Sequence, residues 1–388
     1  MSIHSVAIVG AGIAGLTAAL SFARLGIRTD IIEQAPQLTD VGAGLQMSPN
    51  ATYILDRLGV LPELENHWQK PSRIGLASGT SLRPLAFVPA GQFALERWGS
   101  PYGVLHRSTL QQALLTAVLH ASSLCHLHLG QRLEDTTPQS IGALTGRAPD
   151  LIVGADGVWS RTRSRVPDAP ETSFSGNVAW RFTIPDESAP DFLDRNNVTA
   201  FLGPNSHLVS YPLREIGGFN VVAITAGNSP GETWGTTGTA AQKRMMLRHF
   251  HRWHDAIVDM LEKANQPNFW PLFQAGKGRW HNGRDTVLIG DAAHAMMPFA
   301  AQGAAMAIED AFVLAGKVAG TPLPQALASF EAERSARTAK VRDRGAFNKF
   351  AYHARGPFRL GRDVVLSLRK PESLAADLDW LYGFKAKG

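Results

Sequence analysis

Val6-Ala-Ile-Val-Gly10-Ala-Gly12-Ile-Ala14-Gly15 is the stretch on which the fold of this chain turns. Its first four residues are a short apolar run, which suits a strand buried on both faces. From Ile13 to Leu25 the chain is rich in Ala and Leu at helical spacing, and Gly26 follows where a helix would close. Thr29-Asp-Ile-Ile-Glu33 returns to a strand pattern, so the segment reads as a β-α-β unit of about thirty residues. Gly10, Gly12 and Gly15 have the G-x-G-x-x-G spacing of a dinucleotide turn. The first glycine permits the tight turn, the second admits a pyrophosphate to the backbone, and the third lets helix pack on strand. The helix start then offers unpaired N–H groups to phosphate. Glu33, closing the second strand, is placed to accept hydrogen bonds from a ribose diol. Nothing in this motif says which dinucleotide is bound.

The rest of the chain sets bounds. Its 388 residues are enough for a sizeable core and suggest about two domains. No stretch approaches the ~20 consecutive apolar residues that span a bilayer. Met1-Ser-Ile-His runs directly into a strand pattern, with neither a charged leader nor a cleavage site. Cys125 is the single cysteine, so an internal disulfide is impossible and a reducing cytoplasm is the expected compartment. A net charge of +5 suits anionic ligands such as nucleotides or aromatic carboxylates, or carries no functional meaning. A nucleic-acid footprint would need a clustered basic stripe. The densest basic stretch, Arg334 to Arg344, is interleaved with Glu333 and Asp343 and reads as the solvated face of a helix. Neither nucleic acid nor membrane is expected as a partner. His249, His251 and His254 do not share one helix face, so no metal site is expected.

Along the chain, Asn50 to Leu58 and Ser108 to His120 have the spacing of amphipathic helices, and Asp150 to Ala155 and Thr286 to Gly290 read as buried strands. Between those two strands the texture changes. Gly176 to Ile184, Val198 to Leu202, His207 to Leu213 and Phe219 to Ala226 read as strands of a meander. Thr239 to Ala264 reads as a long helix broken near Trp253, and from Leu323 the chain is mostly helical to Tyr382.

Three further segments narrow the reading. Asp150-Leu-Ile-Val-Gly-Ala-Asp156-Gly157-Val-Trp-Ser160-Arg-Thr-Arg163 is a strand leading into an Asp-Gly turn, and Gly290-Asp291-Ala-Ala-His294-Ala-Met-Met-Pro298 follows a strand with a Gly-Asp turn. His106-Arg107-Ser108-Thr-Leu110 puts an arginine at a helix start. With these in order, the chain resembles the single-component FAD-dependent aromatic hydroxylases, the group of p-hydroxybenzoate, salicylate and 3-hydroxybenzoate hydroxylases, from about Ser5 to Arg344. Gly42-Ala-Gly-Leu-Gln46-Met-Ser-Pro49-Asn50-Ala is most similar to the salicylate, 3-hydroxybenzoate and 6-hydroxynicotinate branch.

The resemblance implies an α/β fold: a Rossmann-type FAD-binding domain, an inserted, mostly antiparallel β-sheet substrate domain as in p-hydroxybenzoate hydroxylase, and C-terminal helices. The expected boundaries are 1–72, 97–172 and 270–345 for the FAD domain, 73–96 and 173–269 for the substrate domain, and 346–388 for the helical end. It implies non-covalent FAD, NADH or NADPH as a transient co-substrate, O2 and a small phenolic or heteroaromatic acid; a homodimer is compatible with it. In the family, NAD(P)H reduces the flavin, and O2 then adds at flavin C4a to give a hydroperoxide that hydroxylates the ring. Only one G-x-G-x-x-G is present, which agrees with a nicotinamide that visits a groove. The alternatives are a same-fold enzyme for a larger polycyclic or quinoline-type ring, and a flavin-binding sensor without turnover.

Carried over by position, the resemblance implies Glu33 at the adenosine ribose and Arg107 near the ribityl chain and pyrophosphate. It places Asp291 on the ribityl chain or pyrophosphate, and Asp156 in a turn tied to both FAD and NAD(P)H. Ala14 joins this set from within the glycine turn. Plainer alternatives are that Asp156 caps its own turn and that Arg107 pairs with a surface acid. After Pro298, the run Phe-Ala-Ala301-Gln302-Gly303-Ala304 reads as a loop opening into a small-residue helix, departing from the family's usual Gly-Gln-Gly at Ala301. A helix amino end aimed at the flavin N1–C2 carbonyl edge would stabilise the negative charge of reduction. Activating a phenol calls for a base. His207 and Tyr211, four apart on a strand, face the same side and are the candidate base and its partner, with a packed core pair as the alternative. Gln46, Arg181 and Pro298 complete the expected substrate pocket; Gln46 stands where the 6-hydroxynicotinate branch has a His, and Arg181 has a surface position as its alternative.

Overall fold

A computed structural model describes residues 3–38, 44–228, 236–265 and 267–387; Gly42 and Ala43 of the branch motif lie outside them. The glycine segment sits where its pattern places it. Strand Ser5–Val9 is the centre of a five-stranded parallel sheet, flanked by Arg28–Ile32 and Leu151–Gly154, with Cys125–His128 and Thr286–Leu288 outermost. These short apolar runs need no alternation because helices cover both faces. Helix Ile13–Ala23 packs along helix Gly303–Gly320, and the small residues of both allow a close approach.

The inserted region forms a second sheet of eight strands, in the order 236–237, Asn268–Ala275, Thr172–Pro185, Gly218–Ala226, Ser206–Leu213, Val198–Gly203, Arg73–Ser78 and Pro84–Pro89. All neighbours are antiparallel except Arg73–Ser78 beside Val198–Gly203, which run parallel. Strand Asn268–Ala275 carries this sheet past the expected boundary at 270. Alternation along Thr172–Pro185 sorts its two faces. Trp180, Phe182 and Ile184 join the core beneath helices Ala240–Phe250 and Asp255–Lys263, while Ala179 turns to the opposite face with Ile224 and Phe299.

The helix pair is interrupted at Trp253, as the pattern predicts. The indole lies flat against Gly79 and Gly203, where an added Cβ would come within 2.2 and 2.3 Å of it. The His254 imidazole then accepts the Ala256 N–H and starts the next helix.

One expectation is overturned. Arg334 to Arg344 is not simply a solvated face: on helix Leu323–Tyr352, Arg334 has no exposure at all, and Thr338 and Val341 are buried with it. The reason is the neighbouring helix Gly303–Gly320, which presents Glu309 and Asp310 to that side. None of the described helices is long and apolar enough to cross a membrane.

Candidate functional site

The backbone at the glycine turn shows what each glycine does. Gly10 has φ +103°, and a Cβ there would lie 2.6 Å from the Ala155 carbonyl oxygen; one on Gly15 would lie 1.9 Å from that of Gly10. A Cβ on Gly12 would meet nothing within 4 Å, so the turn is open above it. Gly12 caps helix Ile13–Ala23 without any side chain satisfying the first amides, which leaves them for an anion. The Glu33 carboxylate accepts the Ala11 N–H (2.8 Å) and the Ala35 N–H (2.9 Å), which fixes it beside the turn.

Three other elements converge here. Arg107 is the first residue of helix Arg107–His120, from which Gln111 donates to the Ala11 carbonyl. Gly290 (φ +58°) passes so close to Ala14 and Ala307 that a Cβ would lie 3.3 and 3.1 Å from theirs. This brings exposed Asp291 to the start of the first helix. An open glycine, uncapped amides, an acid at the strand end and a basic residue at a helix start fit the pyrophosphate, ribose and ribityl parts of FAD. Asp156 stands in the turn that follows strand Leu151–Gly154. Its carboxylate accepts from Ser160 Oγ, Arg161 N, Thr162 N and Thr162 Oγ1, so it caps its own turn. Arg163, quoted in the motif without a role, ties that turn to the next by donating to the carbonyls of Val158, Asp291 and Ala292.

Pro298–Ala300 form a single 3₁₀ turn, and Ala301 sits at φ +51° before helix Gly303–Gly320. A left-handed alanine is strained, and the alanine here takes the place of a glycine that would not be. Gln302 points inward: its amide donates to Ser48 Oγ (3.0 Å) and its Oε1 accepts from Asn50 (3.2 Å). A Cβ on Gly303 would meet nothing within 4 Å, so the start of the helix is open.

Behind Gln302 lies a buried polar network that the sequence did not disclose. Asn50 donates to Glu309 (2.7 Å), which also accepts from Arg334 and from both Nε and Nη2 of Arg337. Arg334 donates to Asp310 (2.8 Å), whose other oxygen takes the Gly290 N–H and His294 Nε2. Burial pushes the Asp310 carboxyl up, but His294 and Arg334 overcome it and hold the group below its usual value. Arg337 finally donates to the carbonyls of Trp380 and Leu381, pinning the chain's end to this cluster.

The loop at Pro298 opens onto a cavity of about 910 Å³ between the second sheet and the C-terminal helices. Gln46, His207, Pro298, Phe299, Ala301 and Arg344 contribute to its wall. His207 is 2% exposed, and its Nδ1 lies 2.9 Å from His353 Nε2. Burial, with His353 second, lowers the His207 imidazole well below its usual value, so it is neutral near pH 7. Burial and the Lys349 cation likewise bring His353 down to about 4. Gln46 accepts the Tyr102 hydroxyl at Oε1 (2.7 Å), leaving its amide N–H groups to other partners. Arg344 Nε is buried without a hydrogen-bond partner.

Two expected members are not on that wall. Tyr211 shares the sheet face of His207, but four residues along a strand is about 13 Å, enough to put it in different surroundings. Its ring packs where a Cβ on Gly44 would lie 2.5 Å from it, and burial pushes its hydroxyl up against the opposing pull of Arg181. Arg181 is on the same face, with its guanidinium over Trp270 at 5.2 Å, its Nε unpartnered, and its charge felt alongside that of Arg107. It belongs with Arg107 and Tyr211 rather than with the cavity.

The two neutral histidines make a pH prediction. The unfolded chain protonates both near pH 6.5, whereas the folded chain does not, so folding stability falls as pH drops from about 6.5 toward 4. Urea midpoints measured across that range should fall more steeply in the parent than in a His207→Gln/His353→Gln double variant. Equal slopes would mean that both rings are free to charge in the fold. His251 and His254 are each occupied within their own helix ends, and the described residues hold no group of three or more His, Cys, Asp or Glu side chains placed for a metal.

A family model described as an FAD binding domain matches residues 4–345. The chain is 33% identical to 3-hydroxybenzoate 6-hydroxylase 1 of Aquipseudomonas alcaligenes, covering 98% of each. It is 34% identical to a 3-amino-4-hydroxybenzoate 2-monooxygenase of Streptomyces platensis, over 98% of this chain and 96% of that one. Among solved structures, a salicylate hydroxylase in complex with substrate superposes with a TM-score of 0.78 at 21% identity, over 99% of this chain and 96% of that one, a likeness of fold.

Proposed function

This chain belongs to the FAD-binding family of single-component aromatic hydroxylases, and we propose that its substrate is a small phenolic ring acid hydroxylated with NAD(P)H and O2. It is an FAD-dependent monooxygenase. Bound FAD supplies the redox chemistry, taking electrons from NAD(P)H and delivering them to O2. Everything else falls to the protein.

In this reading the amides after Gly12 hold the pyrophosphate, Glu33 the adenosine ribose, and Arg107 and Asp291 the ribityl end. Gly303 and Ala304 present a helix amino end to the flavin edge where charge develops. The observation that carries the substrate proposal is His207, buried and neutral on the wall that also holds Pro298 and Ala301. A neutral imidazole there accepts the phenolic proton, and the phenolate is the better nucleophile. Phe299 and Tyr352 pack on the His207 ring at 5.2 and 5.4 Å and keep water from it. The carboxylate falls to Arg344, whose buried Nε lacks a partner.

The test is direct. The purified protein should be yellow, and a panel of hydroxybenzoates should contain one that accelerates NADH or NADPH oxidation and yields a hydroxylated product. Accelerated oxidation that gives only H2O2 across the panel would sink the hydroxybenzoate assignment. Arg344→Met should raise KM for that acid on the order of tenfold to a hundredfold, as expected for losing one charge-assisted contact. An unchanged KM would move the carboxylate elsewhere.

The cavity itself favours a second reading. At about 910 Å³, and with Leu76, Val88, Leu202 and Phe350 on its wall, it offers more apolar space than one ring fills. A larger or alkyl-substituted ring would use that space. If such rings are turned over and simple hydroxybenzoates are not, this reading replaces the first.

A further inference from the structure

We propose that His353 is the second station of a proton path that starts at His207, carrying the substrate's phenolic proton out of the cavity to solvent at the end of helix Leu323–Tyr352. The inference rests on the reading of His207 as base.

A base sealed at 2% exposure must hand its proton on before it can act again. Among the described residues, the hydrogen-bond partner of His207 that can take it is His353, at 2.9 Å from Nδ1 to Nε2. His353 is only partly buried, unlike His207, and stands in the position that ends the long helix. It is also held in place from both sides. Its own N–H donates to the Lys349 carbonyl (3.0 Å), and its carbonyl accepts the N–H of Asn205 (3.2 Å). Asn205, at φ +56°, forms the turn that leads straight into the strand bearing His207. The two rings are therefore fixed to each other through one short turn, and Phe299 closes over both at 5.2 and 5.5 Å.

Two hydrogen-bonded imidazoles must share one proton, one ring donating and the other accepting. With the proton on His207 Nδ1, its Nε2 keeps a lone pair for the substrate, and His353 carries its own proton on Nδ1. The phenol O–H then breaks as the proton joins His207 Nε2. The His207 Nδ1 proton passes to His353 Nε2, and the His353 Nδ1 proton leaves to water. The substrate ends as phenolate, both rings end neutral, and one proton appears in solution. The Lys349 cation on the same helix disfavours a charged His353, so the proton does not rest there. His207 on the facing strand and Lys349 on its own helix are the titratable groups that act on this ring, while Tyr352 packs on the His207 ring.

The experiment uses the FAD-loaded enzyme, the hydroxybenzoate accepted in the panel, and a pH-indicator dye in a stopped flow. The parent should release about one proton per phenol bound. His353→Gln, which keeps a hydrogen bond but cannot relay, should slow that release and product formation on the order of a hundredfold at unchanged FAD content. It should also shift the pH profile of product formation. His353→Ala should be impaired in the same way and regain speed with added imidazole. Unchanged release and product in His353→Gln would overturn the proposal, and so would a loss that imidazole does not restore with the pH profile unmoved. His207→Ala separates the two levels. If that variant makes product at the parental rate, the base assignment itself fails. If it is crippled while His353→Gln is not, the base stands and only the relay fails.

Discussion

Arg334→Leu should cost the folded state about 3–5 kcal/mol, the usual penalty for removing one partner from a buried ion cluster. Arg334 has no exposure, and neither do Glu309 and Asp310, the carboxylates it bridges. Without it, Asp310 keeps only His294 and the Gly290 amide, and Glu309 keeps Arg337 and Asn50. A leucine fills the space but leaves uncompensated negative charge where water does not reach. Because Asn50 also holds Gln302, the loop before helix Gly303–Gly320 should loosen, and FAD should dissociate more readily. Arg334→Lys should fall in between, since one ammonium cannot fork to two carboxylates. Urea unfolding and FAD titration measure both effects. A loss under about 1 kcal/mol, the worth of an exposed ion pair, would show that solvent reaches the cluster after all.

His207→Ala should lower hydroxylated product on the order of 10²- to 10⁴-fold, the range a positioned general base contributes. The residues proposed to hold FAD lie on other elements, so the variant should still purify yellow. Electrons taken from NAD(P)H should then end in H2O2, because an un-ionised phenol is a poor nucleophile. The neutral state of His207 follows from burial and from its neighbour His353, and a neutral ring is what the role requires. Product and H2O2 quantified side by side against NAD(P)H consumed decide the matter. A product-to-H2O2 ratio equal to the parent's would make His207 a packing residue.

The places of Arg107, Glu33 and Asp291 around the glycine turn were legible because each sits at a fixed offset from a glycine turn or a helix start, where the backbone dictates its surroundings. Asp156 was legible as a turn residue, but whether its carboxylate faced the ligand or its own loop depended on how Ser160 to Thr162 fold back. Arg334 was misread for a related reason. Charges interleaved on a helix describe a solvated face unless a neighbour supplies partners, and the neighbours, Glu309 and Asp310, lie 25 and 24 residues earlier in the chain. His207 and Tyr211 do share one face, as alternation requires, yet only the closing of the C-terminal helices put His207 alone on the cavity wall.

By itself, then, the sequence determined the nucleotide fold, the breaks between elements and the family. Each of these is written in spacings of a few residues, where backbone geometry and periodicity leave little choice. The tertiary structure alone decided which side chains meet. His207 and His353 are 146 residues apart, and Asn50 and Glu309 are 259 apart. No local pattern encodes such pairs, because their contact depends on where two separately formed elements come to rest when the core closes.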